Sequence, residues 1–266
     1  MLKNLTLIKL GGSVITDKEI PMSLRKNILT RLVGEIARAK QEKPDQLLIV
    51  GHGQGSFAHV PASKYQTMAG FINEESLLGM AIVQDSAATL NRLVVHEFLK
   101  HNLPAVSFYA SNTIVTKKRK KAAFCAEVIN EYLRKGLLPV TCGDVLVDRD
   151  QGCTIWSTEE ILAFLAPYFL EQQIQVNKII HVTEVAGFLD KTGQIVAEIT
   201  AQNWTKVSQD LHRTRGFDVT GGMGLKIEES LTLAKKGIES MIISGMLQDN
   251  LYWALTNRDC VGTSIR

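Results

Sequence analysis

Three short segments of this chain carry residue types that can hold and transfer phosphate. The first, Lys9-Leu10-Gly11-Gly12-Ser13, sets a glycine pair behind an apolar run and an ammonium group two residues ahead of it. Glycines there let backbone N–H groups approach phosphate oxygens without side-chain obstruction, and Lys9 can neutralise phosphate in transit. The second, Gly51-His52-Gly53-Gln54-Gly55-Ser56-Phe57-Ala58-His59, packs three glycines into five residues. That density costs chain entropy, so it points to a demanded backbone geometry. Such a loop cradles an anion, particularly ahead of a helix N-terminus. His59 closes the loop and can donate to a phosphate oxygen. The third, Asp218-Val219-Thr220-Gly221-Gly222-Met223-Gly224-Leu225-Lys226, joins a glycine-rich turn, a helix start and a lysine. Together these make a triphosphate clamp.

Each segment has a plainer alternative. A strand followed by Gly-Gly is a common tight turn, and a glycine-rich stretch can simply precede an amphipathic helix. The three in this order, spread over nearly the whole chain, are far more specific than any one. Ser56 stands where G-x-G-x-x-G needs its last glycine, which argues against dinucleotide binding, and no G-x-x-x-x-G-K-[ST] occurs. His52, His96, His101, His181 and His212 read as structural. The run Lys117-Lys118-Arg119-Lys120-Lys121 reads as a solvated surface turn rather than a nucleic-acid patch.

The elements that must position these segments alternate between strand and helix. That pattern predicts a mostly parallel sheet with helices on both faces. Strands are expected at 5–10, at 47–50 (stopped by Gly51), and at 104–108, 137–142, 178–183 and 240–244. Helices are expected at 23–40 with Ser23 as N-cap, and at 74–101, 125–135 (ending at Gly136), 158–171 and 224–236. In the long 74–101 stretch, Leu77, Leu78, Ala81, Ile82, Leu90, Leu93, Val94 and Phe98 recur at helical spacing. A lobe boundary is expected near residue 172, giving lobes 1–172 and 173–266 of one compact fold.

Composition bounds the rest. The 266 residues are 45% hydrophobic and 21% charged, an ordinary globular balance. The net charge of +3 is too even to call for nucleic acid. Cys125, Cys142, Cys153 and Cys260 form no C-x-x-C pair, which leaves zinc and dithiol chemistry without support and fits a reducing compartment. The N-terminus runs directly into an expected strand with no signal-peptide pattern. The longest apolar stretch, Ile161 to Leu170, is about half of a membrane span and contains Pro167. A cytoplasmic protein without membrane or nucleic-acid partners is expected.

Several segments together resemble the amino acid kinase superfamily, and within it the isopentenyl phosphate kinases. They are K-L-G-G-S-V-I-T-D-K at 9–18, H-G-x-G-S-F-x-H at 52–59, G-D-V at 143–145, the D-V-T-G-G-M segment, and the terminal G-T-x-I. The resemblance covers residues 7–266. It implies a three-layer α/β/α sandwich with a mainly parallel central sheet. The acceptor would lie in the N-terminal lobe and ATP in the C-terminal lobe, with both phosphates meeting at the carboxyl ends of the strands. It implies an ATP-dependent kinase acting on a small monophosphate, with isopentenyl phosphate as the acceptor and isopentenyl diphosphate as the product. ATP and Mg2+ are the implied cofactors and a homodimer the implied assembly.

By the same resemblance, Lys9 and Lys226 hold the nucleotide phosphates and the phosphoryl in flight. Lys18 lies near them, His59 binds the acceptor phosphate, and Glu159 stands where a carboxylate organises the two lysines. Nucleotide contacts fall on Lys9, Gly11, Gly12, Ser13, Gly55, Thr183, Gly222 and Lys226. Acceptor contacts fall on Gly53, Gln54, Ser56, His59 and Gly143, and no residue is assigned to a metal. The chain departs from the family pattern at Gln54 and Ala58, where glycines are usual. Ser157-Thr158-Glu159-Glu160 replaces S-G-D-D, and Thr183-Glu184-Val185-Ala186-Gly187 replaces T-D-V-D-G. Glu160 is the alternative to Glu159 as the organising carboxylate. Other readings are another small-molecule kinase of the superfamily, fosfomycin kinase-like or uridylate kinase-like, or a nucleotide-binding regulatory protein with little turnover.

Overall fold

A computed structural model describes residues 4–190, 192–211 and 223–266. The strands are β1 (Asn4–Leu10), β2 (Leu47–His52), β3 (Ala105–Ser107), β4 (Ile114–Lys117), β5 (Lys120–Phe124), β6 (Leu138–Cys142), β7 (Asp144–Asp148), β8 (Gly152–Trp156), β9 (Gln175–Thr183), β10 (Glu198–Ile199), β11 (Glu239–Ser244) and β12 (Gly262–Ile265). The helices are α1 (Gly12–Ile15), α2 (Lys26–Glu42), α3 (His59–Lys64), α4 (Ser76–Lys100), α5 (Glu127–Arg134), α6 (Thr158–Glu171), α7 (Trp204–Leu211), α8 (Met223–Ala234) and α9 (Asn250–Thr256).

Eight strands form one sheet in the order β10-β12-β11-β9-β1-β2-β6-β3. Every pairing in it is parallel except β11 with β12. The central strands are apolar on both faces because helices cover both. Leu5, Leu7, Leu47, Ile49 and Ile179 point to one face and pack under Ile161, Leu162, Leu165 and Phe169 of α6. Ile8, Leu10, Val50, Ile180 and Val182 point to the other and pack under α2, α4 and α9. This is the expected three-layer sandwich, and its sheet runs unbroken across residue 172.

Side-chain chemistry ties α9 to α2. Glu35, 3% exposed, accepts N–H groups from Asp249, Leu251 and Tyr252 and pairs with Arg31. A buried carboxylate thereby satisfies the orphan donors at the start of a helix. It also anchors the turn that follows β11.

Two features differ from the sequence reading. Ser23 does not cap α2, which starts at Lys26 with Arg25 at the cap position. Ser23 instead belongs to a turn held to the glycine loops: its N–H donates to Ser56 Oγ at 3.3 Å, and its carbonyl accepts from Asp17 N at 2.9 Å. The long-range partners, invisible in local sequence, take the residue out of the helix. A second sheet, in the order β5-β4-β7-β8, was not expected. Its short strands alternate weakly, and β5 is an edge strand of the pattern Lys-Lys-Ala-Ala-Phe, exposed along most of its length. The basic run is therefore the tip of a hairpin. Lys118 and Arg119 have φ of 51° and 64°, as a two-residue hairpin turn requires. Lysines on such an edge discourage strand addition.

The long helix α4 buries Leu90, Val94 and Phe98, but Leu77 and Leu78 are 68% and 60% exposed. These two leucines thus lie outside the core, whereas Gly79 and Val83 of the same turns are buried. No helix among the described residues is long and apolar enough to cross a membrane.

Candidate active site

Register builds the site. Lys9 lies opposite Gly51 on β2 and opposite His181 on β9. Residues paired in this way present their side chains to one face. That face is covered by α6, which packs on β1, β2 and β9, and by α8, which packs on β11. Leu5 and Leu7 fill the layer beneath α6, so the next position on the same face, Lys9, emerges at the edge of that layer where α6 begins.

Three charges meet there. Lys9 Nζ is 2.8 Å from Glu159 Oε1, and Lys226 Nζ, from the first turn of α8, is 3.1 Å from the same oxygen. The Lys9 and Glu159 side chains are 10% and 14% exposed, whereas Lys226 is 41% exposed. Burial pushes the Glu159 carboxyl up, but the two ammonium groups, by charge and by hydrogen bond, outweigh it and hold the pKa at about 2. The carboxylate is ionised at neutral pH and keeps two like charges close together. The trio carries a net positive charge, which suits an incoming polyphosphate.

The neighbouring Glu160 has a different task. Ser157 Oγ accepts from Glu160 N at 3.1 Å, and Glu160 Oε2 accepts from Ser157 N at 2.7 Å, a complete capping box at the start of α6. The two adjacent carboxylates are therefore separated by geometry. Glu160 turns back to close the helix, and Glu159 reaches across to the lysines.

Thr158 locks α6 to the end of β2. Its Oγ1 donates to His52 O at 2.7 Å. A Cβ on Gly51 would lie 2.4 Å from Thr158 Cγ2, so the glycine on β2 leaves the space that the threonine methyl fills.

The two glycine loops lie against each other at the carboxyl ends of β1 and β2. A Cβ on Gly12 would stand 2.5 Å from Gly55 N, and one on Gly53 would stand 2.6 Å from Gly12 N. Gly53 N donates to Leu10 O at 2.9 Å. Side chains at these positions would force the loops apart. Among the described residues, the N–H groups of Gly12, Ser13, Gln54 and Gly55 have no acceptor. Unpaired donors gathered on adjacent loops form a ready anion cradle.

The remaining expected residues fall around this centre. His59 is exposed at the first position of α3, beyond the loop. Gln54 Nε2 donates to Gly143 O at 2.7 Å, so the side chain that replaces a glycine bridges β2 to β6; its Oε1 is buried without a partner. Gly143 N donates to His52 O at 3.3 Å. Ser56, 6% exposed, is turned to the 22–23 turn: its carbonyl accepts from Met22 N and its Oγ from Ser23 N. Gly11 N donates to Val182 O at 2.8 Å, and Thr183 Oγ1 donates to Val185 O at 2.9 Å. Lys18, 67% exposed, sits 3.5 Å from Glu184, which Arg25 also contacts at 3.0 Å. Lys18 thus stands at the rim rather than on Glu159. Gly222, the Asp218–Gly221 segment and His212 lie outside the described residues.

One neighbour of the centre carried no functional reading in the sequence. His181, opposite Lys9, has a buried Nδ1 with no partner. Burial, reinforced by Lys9 and Lys226 and opposed by Glu159, lowers its pKa to about 4, so it contributes no charge at neutral pH. The signal available in sequence was a polar residue, His181, at the second position of the alternating series Ile179, His181, Thr183. The four cysteines are free, and no group of acidic, histidine or cysteine side chains among the described residues is arranged to hold a metal ion.

The sequence model of the amino acid kinase family matches residues 4–244. Isopentenyl phosphate kinase of Methanocaldococcus jannaschii is 31% identical, covering 98% of this chain and 98% of that protein. The protein of the same name from Methanothermobacter thermautotrophicus is 33% identical, covering 97% and 98%. A crystal structure of an isopentenyl phosphate kinase superposes with a TM-score of 0.82 at 28% identity, over 98% of this chain and 100% of that one. Carbamate kinase of Giardia lamblia, 15% identical with a TM-score of 0.69, shares the fold. This chain belongs to the amino acid kinase family, grouped with its isopentenyl phosphate kinases, and is an ATP-dependent phosphotransferase.

Proposed function

We propose that the chain transfers the γ-phosphoryl of ATP to isopentenyl phosphate, giving isopentenyl diphosphate and ADP. The observation that carries the reading is the pairing of Lys9 and Lys226 through one carboxylate, at the place where two glycine loops present unpaired N–H groups. An oxygen of the acceptor phosphate attacks the γ-phosphorus in line, the bond to the β-bridging oxygen breaks, and ADP carries away the electron pair. The attacking group is itself an anion, so no protein nucleophile is needed. Catalysis is positioning plus electrostatics. Charge shifts onto the transferring oxygens and the leaving β-phosphate, where Lys9 and Lys226 gain most in the transition state. Glu159 fixes the direction of both.

The acceptor phosphate belongs on the N-terminal side, against Gly53, Gln54 and His59. The nucleotide belongs on the side of Gly11, Gly12, Ser13, Gly55, Thr183 and Lys226. Lys18, at the rim beside Glu184, assists on the nucleotide side, where the family resemblance also assigns Gly222, and Ser56 and Gly143 act by shaping the acceptor loop. Residues 1–172 and 173–266 then serve as acceptor and nucleotide lobes.

Mg2+ enters with the nucleotide. The chemistry of the site fits this arrangement, because Glu159 is committed to Lys9 and Lys226 and the metal's ligands can come from the nucleotide phosphates. When bound, the ion would supply charge neutralisation on the nucleotide phosphates beside Lys9 and Lys226. A homodimer is proposed for the assembly, supported by the exposed Leu77 and Leu78, and a cytosolic setting where ATP is available.

The test is ADP release with Mg-ATP across a panel containing isopentenyl phosphate, other alkyl and allyl monophosphates, uridylate and fosfomycin. The highest kcat/KM is expected with isopentenyl phosphate. A higher kcat/KM with uridylate or fosfomycin would reassign the acceptor, and ATP binding without turnover on any acceptor would make the chain a nucleotide-binding protein.

A further inference from the structure

A buried polar chain runs behind the acceptor loop. His52 Nδ1 is 3.1 Å from Gly53 O, and His52 Nε2 is 3.2 Å from Asn91 Nδ2 on α4. Asn91 Oδ1 accepts from Ser107 Oγ at 2.6 Å and from Tyr109 Oη at 3.4 Å. His52 and Asn91 are both 0% exposed.

The proton positions in this chain follow from elementary rules. A carbonyl only accepts, so His52 Nδ1 carries the hydrogen. Burial lowers the His52 pKa to about 4, so the ring is neutral at neutral pH and Nε2 is an acceptor. Asn91 must then present its NH2 group to the ring, which leaves Oδ1 for the two hydroxyls. Every polar atom is used, and every donor points toward Gly53.

The end of the chain matters for binding. Gly53 C=O and Gln54 N–H belong to one planar trans peptide and point in opposite directions. Fixing the carbonyl inward fixes the N–H outward, and the Gln54 N–H has no acceptor among the described residues. If that peptide turned over, it would show a carbonyl oxygen to the anion instead of a donor.

We propose that Asn91 is a positioning residue for the acceptor: through His52 it selects the peptide orientation at Gly53-Gln54 that aims the Gln54 N–H at the acceptor phosphate. The inference rests on the acceptor loop assigned above. It accounts for a buried asparagine and histidine that touch neither substrate.

Asn91→Asp is the informative variant. A carboxylate facing Nε2 accepts a hydrogen and raises the His52 pKa. The imidazolium can still donate Nδ1–H to Gly53 O. Once the ring loses a proton, its remaining hydrogen goes to the carboxylate and a lone pair faces the Gly53 carbonyl. Acceptor KM in Asn91→Asp is therefore expected to rise about tenfold from about pH 6 to about pH 9, with ATP KM unchanged. Wild type should show no such rise. The other titratable and charged groups around the network are Tyr109, Cys142, Asp144 and Arg92. Burial pushes Tyr109 and Cys142 up, so both stay uncharged over this range.

Ser107→Ala combined with Tyr109→Phe removes both donors to Asn91 Oδ1 and frees the amide to rotate. That variant should raise acceptor KM about tenfold at constant ATP KM. Nitrogen NMR of the wild-type protein gives a reading independent of any variant's folding, and the Nδ1–H tautomer of His52 is expected. Detection of Nε2–H would overturn the proposal, as would an Asn91→Asp pH profile parallel to wild type or equal losses in acceptor and ATP KM. His59→Ala separates the two levels. If it leaves acceptor KM unchanged, the acceptor-loop assignment itself fails. If it raises KM while the Asn91 variants do not, only the present inference falls.

Discussion

The lysine–glutamate trio and the paired glycine loops are both suited to anions, yet they are built from different materials. The trio uses full charges on side chains from three separate elements, β1, α6 and α8. The loops use backbone dipoles held in place by glycines that no side chain can replace without collision. Charges on side chains can follow the electrons as the phosphoryl moves, and so act mainly on kcat. Backbone donors are fixed in direction and act mainly on binding. On the proposed reading, chemistry belongs to one region and recognition to the other.

The largest effects should come from the trio. A folded Lys9→Met or Lys226→Met enzyme is expected to lose about 100- to 1,000-fold in kcat, as when one preorganised donor is removed from a developing charge. Wild-type kcat in a folded Lys226→Met enzyme would remove that residue from the mechanism. Glu159→Gln should follow, with kcat lowered about 10- to 100-fold and either KM changed little, because orientation of both lysines counts most in the transition state. Steady-state kinetics beside Glu160→Gln decides between the carboxylates. A silent Glu159→Gln together with a dead Glu160→Gln would reverse the assignment made from the geometry.

On the recognition side, His59→Ala is expected to raise acceptor KM about tenfold while ATP KM holds, the loss of one charge-assisted contact. If ATP binding fails instead, the two regions are not divided as proposed. Smaller still is Glu160→Gln, whose amide oxygen can still accept from Ser157 N, so that only the charge at the helix start is lost, at about 0.3–1 kcal/mol in a denaturant melt with kcat nearly intact. The last effect is one of pH. Glu159 has a folded pKa of about 2, below its ordinary value, so its contribution to stability is present above about pH 4.5 and is lost as pH falls toward 2. The gap in melting temperature between wild type and Glu159→Gln should therefore narrow from about pH 6 to about pH 3. A constant gap would mean the carboxylate is not held by the two ammonium groups.

Much of this was readable in the chain before folding. Alternating apolar runs of strand length and helix length made the parallel sandwich legible, because burial on both sheet faces leaves continuous apolar strands. Lys9, the two glycine loops and Lys226 were legible as candidates because segments with plainer alternatives one by one are far more specific when they occur together and in order. The second sheet was not, since its short, half-exposed strands lack periodicity. Ser23 was misread because a good capping residue was engaged by a partner thirty-three positions away.

Sequence by itself therefore determined the fold class, the phosphate-handling segments and the two adjacent carboxylates as candidates. Tertiary structure decided between them. Glu160 closes its own helix, and only Glu159 spans to both lysines. It also decided that Gly51 leaves room for Thr158, that His181 lies beside Lys9, and that His52 and Asn91 stand behind the acceptor loop. Each of these depends on which residues the sheet register and helix packing bring within a few ångströms. Local sequence encodes backbone preference and burial, but the distance between groups far apart in the chain exists only once the chain has folded.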